Sequence, residues 1–290
     1  MTQSVAFIGL GAMGYRMAAH LPKYFEKVYV WNRNFDKAKQ HATEFGTLAV
    51  ELAEAVQADV IFSCLPTSDD VETLIDGVNV KSGAIWIDCT SGVPEAARRL
   101  AERLKIQNID FLDAPVSGQT IGAENATLTV MVGGDINAFE RAYPAMAAVG
   151  KLIQHVGDSG AGFAVKAINN MLLAVNLWSV AEGFSTLKAH GVNLDAALNC
   201  INASSGKSMV TETVLPQRVL SREFPVTFAL PLLAKDTGIA LDLVHDAKLP
   251  APILALTQSL IQAASLTAEA NSDFSSAVKM YEEWTKIILK

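Results

Sequence analysis

A short β-prone run, Val5 to Ile8, ends directly in Gly9-Leu10-Gly11-Ala12-Met13-Gly14, after which a helical pattern begins through Met17, Ala18 and Leu21. Strand, glycine turn and helix start stand in the order a dinucleotide site requires. Gly9 makes the tight turn, Gly11 lets the backbone approach a pyrophosphate, and Gly14 lets the helix lie close to the strand. Amides at the start of the helix then hold the anion. The alternative is a glycine turn that only joins a strand to a helix. The dinucleotide reading takes in Leu10, Ala12 and Met13, and it commits the opening of the chain to an α/β sheet.

The following residues extend that pattern. A second strand over 27–31 ends in Asn32-Arg33-Asn34, where NAD-specific sites usually carry Asp or Glu against the adenosine ribose. A carboxylate there repels a ribose 2′-phosphate, whereas Arg33 can bind it by a charge-assisted fork and Asn32 can donate to it. The pair points to NADP. NAD is the alternative, with Arg33 a solvated surface residue and Asp36 nearby.

Strand runs at 60–64, 84–87 and 109–112 alternate with helical patterns starting near Ser68 and spanning 94–104. That alternation predicts a mainly parallel sheet covered on both faces. Ligands of open α/β sheets sit beyond the carboxyl ends of the strands. The rule nominates Leu65-Pro66, Thr90-Ser91 and the stretch Asp113-Ala114-Pro115-Val116-Ser117-Gly118-Gln119. Thr67 or Ser68 can equally be a helix cap, and Leu65-Pro66 a turn. Pro115 and the glycines are expected to prevent regular structure after Asp113, leaving amides near Ser117 and Gly118 for a carboxylate. A strand follows at 128–132, a last strand is predicted over 151–156, and 157–162 reads as a hinge.

Beyond the hinge the punctuation changes. The stretch 163–190 reads as one helix, apolar on most sides through Ala167, Met171, Leu172, Val175, Trp178 and Val180, so burial nearly all round is expected. Lys166 and Asn170 lie on one face of it, an ammonium beside an amide that can both donate and accept. Stretches 193–201, 209–220, 232–249, 253–270 and 275–289 also read as helices, with no strand run among them. The expected organisation is a doubly wound α/β domain over 1–161 and an all-helical domain over 162–290, joined by the long helix.

Composition removes several classes of function. The 290 residues are half hydrophobic, enough for a large core, and carry a net charge of −7. No basic face offers itself to nucleic acid. The longest apolar run, near 171–181, is broken by Asn176 and falls short of a membrane span of about 20 residues, and no basic segment opens the chain. A soluble, cytoplasmic protein is the expectation. Cys64, Cys89 and Cys200 form no C-x-x-C pair and leave an odd thiol, so they read as small reduced hydrophobes rather than a metal or disulfide framework.

The glycine turn, the Asp113-to-Gln119 stretch, Lys166 with Asn170, and Lys235-Asp236, in this order and spacing, resemble the β-hydroxyacid dehydrogenase family over essentially the whole chain. The resemblance implies a Rossmann domain, a long helix into an all-α domain that forms a homodimer or homotetramer, and a substrate cleft between the domains. By it Lys166 matches the catalytic lysine and Asn170 a substrate-holding asparagine. Ser117 and Gly118 match the carboxylate-binding loop, Ser91 a cofactor contact, and Lys235 a lysine near the nicotinamide. Gln119 departs from the pattern, since the family's loop carries a second glycine there.

The implied activity is hydride transfer between a nicotinamide cofactor and a small β-hydroxy acid, with Lys166 exchanging the proton of the reacting oxygen. Burial and the nicotinamide cation are expected to lower its pKa. A glyoxylate or succinic semialdehyde reductase using NADPH is the alternative within the class. Decarboxylating relatives of the 6-phosphogluconate type carry His-Asn where this chain has Asn169-Asn170, and imine reductases usually replace the lysine. From another class, a catalytically silent nucleotide-binding regulatory protein would keep the fold and tolerate loss of Lys166.

Overall fold

The computed structural model describes residues 3–290, and the chain divides into two compact units, one running to Lys166 and the other from Ala167 to Lys290.

The first unit alternates strand and helix: β1 (Val5–Ile8), α1 (Gly14–Ala18), β2 (Val28–Trp31), α2 (Phe35–Phe45), β3 (Leu48–Ala49), α3 (Leu52–Ala55), β4 (Val60–Ser63), α4 (Ser68–Asp76), β5 (Ile85–Asp88), α5 (Pro94–Lys105) and β6 (Asp110–Asp113). These strands lie parallel in the order β3-β2-β1-β4-β5-β6, with the chain reversing direction across the sheet between β1 and β4. Both faces are covered. Val5, Phe7, Val60 and Phe62 pack into one apolar cluster, and Ala6, Ile8, Ile61 and Trp86 into another. Alternate residues of a strand point to opposite faces, so a strand buried on both must be apolar throughout, as VAFI is.

The sheet continues through β7 (Val116–Ser117), α6 (Gln119–Glu124), β8 (Leu128–Gly133), α7 (Ile136–Ala147) and β9 (Gly150–Gly157). Strand β8 runs antiparallel to β6 and β7, and β9 lies parallel to β8. The segment after Asp113 is therefore more regular than Pro115 and its glycines suggested. Val116 and Ser117 pair with Val130 and Thr129, because a sheet edge was available to satisfy their backbone groups.

Helix α8 (Ala161–Ala189) leads into the second unit, followed by α9 (Leu194–Asn202), a π-helix (Val210–Leu220), α10 (Leu230–Asp246), α11 (Pro252–Thr267) and α12 (Val278–Thr285). The chain is an α/β protein with an N-terminal, largely parallel sheet and a helical C-terminal region, as the alternation of patterns predicted.

Four local expectations need correction. Helix α8 is not buried nearly all round: Ala167, Met171, Ala174 and Leu177 are buried, but Val165, Ile168 and Leu172 are 42, 37 and 53% exposed. An apolar sequence on all sides sets no orientation, so packing chose the buried side. At 29 residues α8 is also long and apolar enough to cross a membrane by length and composition, although the apolar run within it looked too short. Helical hydrogen bonds simply continue through Asn176, which had counted as the break in the run.

Residues 210–220 wind as a π-helix around Pro216, whose missing N–H fits the looser hydrogen bonding better than an α-helical interior. The last helix stops at Thr285, where Lys286 turns left-handed with φ 59°. Leu289 is then drawn back into the core, its N–H donating to Glu282 at 2.8 Å.

Candidate active site

The glycine turn stands at the carboxyl end of β1, beside the point where the strand order reverses, which is where open α/β sheets bind ligands. Gly9 adopts φ +94°, and a Cβ on it would lie 2.4 Å from the Cys64 carbonyl oxygen. A Cβ on Gly14 would lie 2.0 Å from the Gly9 carbonyl oxygen and 2.9 Å from the Phe7 ring. Both glycines are thus steric requirements of the fold. Gly11 differs: it is exposed and nothing stands within 4 Å of its Cβ position, leaving a bare backbone that a pyrophosphate can approach. Ala12 is also exposed, Met13 is half-buried and Leu10 is buried. The residues present fit a dinucleotide.

Asn32 has a task besides the one expected of it. Its Oδ1 accepts the Leu10 N–H at 3.0 Å and its Nδ2 donates to the Asn34 carbonyl at 3.1 Å, so the side chain braces the glycine turn against β2. Arg33 stands exposed next to it. Asn34 caps α2 by accepting from the Asp36 N–H at 3.2 Å.

The ends of β4 and β5 are tied together. Thr90 is buried and its Oγ1 accepts the Leu65 N–H at 3.1 Å, while Pro66 is exposed and Ser91 half-buried. Thr67 and Asp70 form a reciprocal capping box on α4, so Thr67 is the helix cap that its sequence also allowed. Beneath this rim lies a buried acid absent from the sequence-based candidates. Asp88 accepts from Ser63 Oγ at 2.9 Å and from the Thr90 N–H at 3.0 Å, and Trp86 Nε1 donates to Ser63 Oγ at 2.8 Å. Burial, with Asp88 adding to it, pushes the Cys64 thiol up to about 12, and Cys89 is raised by burial, by Cys64 and by Asp88. Neither thiol is a nucleophile at neutral pH. Cys200, read as a small hydrophobe, is exposed.

Ser117 is half-buried at the end of β7, Gly118 follows with φ +136°, and Gln119 opens α6 with φ +58°. The left-handed backbone at Gln119 is one that glycine adopts without strain. His20, next to α1, bonds through its Nε2 with the Ala123 carbonyl at 2.9 Å, holding α6 against the helix that starts at Gly14.

Lys166 is half-buried on α8, one turn before Asn170, which is 3% exposed. Asn170 Nδ2 donates to Asp236 Oδ2 at 2.6 Å and its Oδ1 accepts from Asn169 Nδ2 at 3.1 Å, so the orientation of its amide is set. Asp236 on α10 is 2% exposed and pairs with Lys235 Nζ at 3.3 Å. One buried carboxylate therefore orients Asn170 and stands within ion-pair distance of Lys235. Asp88 and Asp113 share a signal that could have flagged them: each is an acid ending an apolar run, IWID and FLD.

Residues 4–157 match the family model described as the NAD binding domain of 6-phosphogluconate dehydrogenase. Residues 160–281 match that described as NAD-binding of NADP-dependent 3-hydroxyisobutyrate dehydrogenase. The chain belongs to the β-hydroxyacid dehydrogenase family. Among its relatives, 2-(hydroxymethyl)glutarate dehydrogenase of Eubacterium barkeri is 34% identical, over 98% of this chain and 96% of the relative. The 3-hydroxyisobutyrate dehydrogenase of Pseudomonas aeruginosa is 35% identical, over 96 and 98%. A solved structure of the Mycobacterium tuberculosis 3-hydroxyisobutyrate dehydrogenase with L-serine superposes with a TM-score of 0.88 at 30% identity, covering 97% of this chain and 99% of that one. As a member of this family the chain is an NAD(P)-binding oxidoreductase with a soluble-type dehydrogenase fold.

Proposed function

We propose that the protein oxidises a small β-hydroxy acid, or reduces the corresponding semialdehyde, with NADP as the preferred cofactor and NAD as the alternative. The observation that carries this reading is the half-buried Lys166 one helical turn from an Asn170 whose amide is already oriented by Asp236. Bound at the glycine turn, the nicotinamide cofactor supplies the hydride acceptor or donor. Lys166 takes the proton of the substrate hydroxyl in oxidation and returns it in reduction. Asn170 hydrogen-bonds the same oxygen; with one Nδ2 hydrogen committed to Asp236, the other is the donor it can offer. Ser117 and the Gly118 amide hold the substrate carboxylate, an orientation effect worth several kcal/mol in reactions of this kind. Leu65, Pro66, Thr90, Ser91 and Lys235 complete the cofactor contacts by the family pattern.

A panel of hydroxy acids and semialdehydes, followed at the nicotinamide absorbance band with both cofactors, tests the reading. Silence throughout would leave a nucleotide-binding regulatory protein instead. The acids named in the relatives, 3-hydroxyisobutyrate and 2-(hydroxymethyl)glutarate, belong at the head of the panel.

For the cofactor, Arg33→Ala is expected to weaken NADP about tenfold to a hundredfold while leaving NAD nearly unchanged, since charge-assisted hydrogen bonds to a phosphate contribute about 1.5–3 kcal/mol. Titration of wild type and variant with both cofactors checks it. Equal or tighter NAD binding by the wild type removes the preference. Gln119→Gly relieves a left-handed side-chain conformation that costs about 1–2 kcal/mol, less about 1 kcal/mol for the extra freedom of glycine when unfolded. Its melting temperature should therefore hold or rise, while KM for the acid changes and cofactor affinity does not. An unchanged KM for every acid in the panel would show that Gln119 lies outside the pocket.

The exposed apolar residues Val165, Ile168 and Leu172 on α8, with Ile253 and Leu256 on α11, support assembly into a homodimer or homotetramer. Light scattering after size exclusion distinguishes these from a monomer.

A further inference from the structure

Helix α8 has no cap of its own. Gly160 precedes its first residue and its carbonyl accepts the Ala164 N–H at 3.0 Å, which makes Gly160 the N-cap, a position normally filled by a residue with a side-chain acceptor. The cap comes from elsewhere. Asp113, at the end of β6, accepts the Gly160 N–H on Oδ1 at 2.7 Å and the Phe163 N–H on Oδ2 at 2.9 Å. These are the N-cap and N3 amides, the two donors that a local capping box satisfies with two side chains. A single carboxylate, 47 and 50 residues away in sequence, meets both.

The surroundings are shaped for it. A Cβ on Gly133 would fall 2.6 Å from Asp113 Oδ1 and 2.8 Å from Oδ2. On Gly162 it would fall 2.5 Å from the Asp113 carbonyl oxygen and 2.9 Å from Oδ2. Two glycines thus make room for one buried acid. Along the chain, Asp113 leads directly into the Ser117-Gly118 loop, and Phe163 stands one turn before Lys166.

We propose that Asp113 is a positioning residue for the reaction: by capping α8 from the end of β6 it fixes the start of the helix that carries Lys166 relative to the loop that carries Ser117. The inference rests on Lys166 being the proton carrier. Without the cap, the first turn of α8 frays and Lys166 loses its alignment with a substrate oxygen.

The charged groups near this junction come from several elements. Asp88 is the register partner of Asp113 on β5. Arg98 on α5 has a guanidinium nitrogen 3.0 Å from the Cβ position of Gly160. His155 on β9 bonds the Gly134 carbonyl at 2.8 Å, and Asp158 lies exposed just before α8. Burial and the charge of Asp88 raise the Asp113 carboxyl, the Gly160 and Phe163 amides lower it, and the result lies at about 6. A proton on Asp113 turns an acceptor oxygen into a donor, so the cap weakens as pH falls through that region.

The test measures amide exchange in the first turn of α8, corrected for intrinsic rates, together with kcat across about pH 5 to about pH 8. In the wild type, protection of this turn and turnover should decline together below about pH 6. Asp113→Asn should lose that protection at all pH values, lower kcat by about tenfold or more, abolish the pH dependence of the protection in this window and leave cofactor affinity within about twofold. The inference is overturned by a variant that keeps kcat within about twofold or keeps the wild-type protection of the first turn. Should Asp113→Asn not fold, the wild-type series decides alone, and protection that does not change across the window overturns it. Undiminished turnover in Lys166→Ala removes the functional reading and the positioning role with it. Lost turnover in Lys166→Ala with a pH-insensitive cap removes only the positioning role.

Discussion

Lys166→Ala is expected to lower kcat by about a hundredfold to ten-thousandfold, the usual contribution of a positioned acid-base group, with cofactor affinity within about twofold of wild type. The substitution is mild for the fold. Lys166 is half-buried inside a 29-residue helix, and alanine has the highest helix propensity, so a loss of turnover cannot be ascribed to a broken helix. Steady-state rates at saturating cofactor, with affinity measured separately by fluorescence titration, separate chemistry from binding. A kcat within about fivefold of wild type would show that another group moves the proton.

The second large effect is expected at Gly14. A methyl there would stand 2.0 Å from the Gly9 carbonyl oxygen, and no side-chain rotation can relieve a clash between a Cβ and backbone. Overpacking of this kind costs about 1–3 kcal/mol or more, so Gly14→Ala should lower the melting temperature, and the displaced turn should weaken the cofactor by about a hundredfold or more. Gly11→Ala is the matching control. Its Cβ meets nothing within 4 Å, so stability should hold while cofactor affinity alone falls. Equal stability losses in the two variants would show that the turn is not built as described.

Much of the site was legible because its chemistry is local. Gly9 and Gly14 carry their steric roles in their spacing, and Thr67 with Asp70 makes a capping box four residues long. What local pattern misjudged was side-chain occupation. Asn32 was expected to donate to a ribose 2′-phosphate, and no local pattern announced that its Oδ1 also braces Leu10, a partner 22 residues away. The stretch after Asp113 looked irregular because no single-sequence signal says that β8 will offer Val116 and Ser117 a sheet edge.

The sequence by itself determined the strand–turn–helix opening, the parallel sheet and the helical second half, because each depends on periodicity and on glycine sterics within a few residues. Only the tertiary structure decided which side of α8 is buried, how Asp236 orients Asn170, and that Asp113 caps α8. These choices join residues about 50 or more apart, and they follow from where a buried carboxylate can satisfy its oxygens, which no run of neighbouring residues specifies.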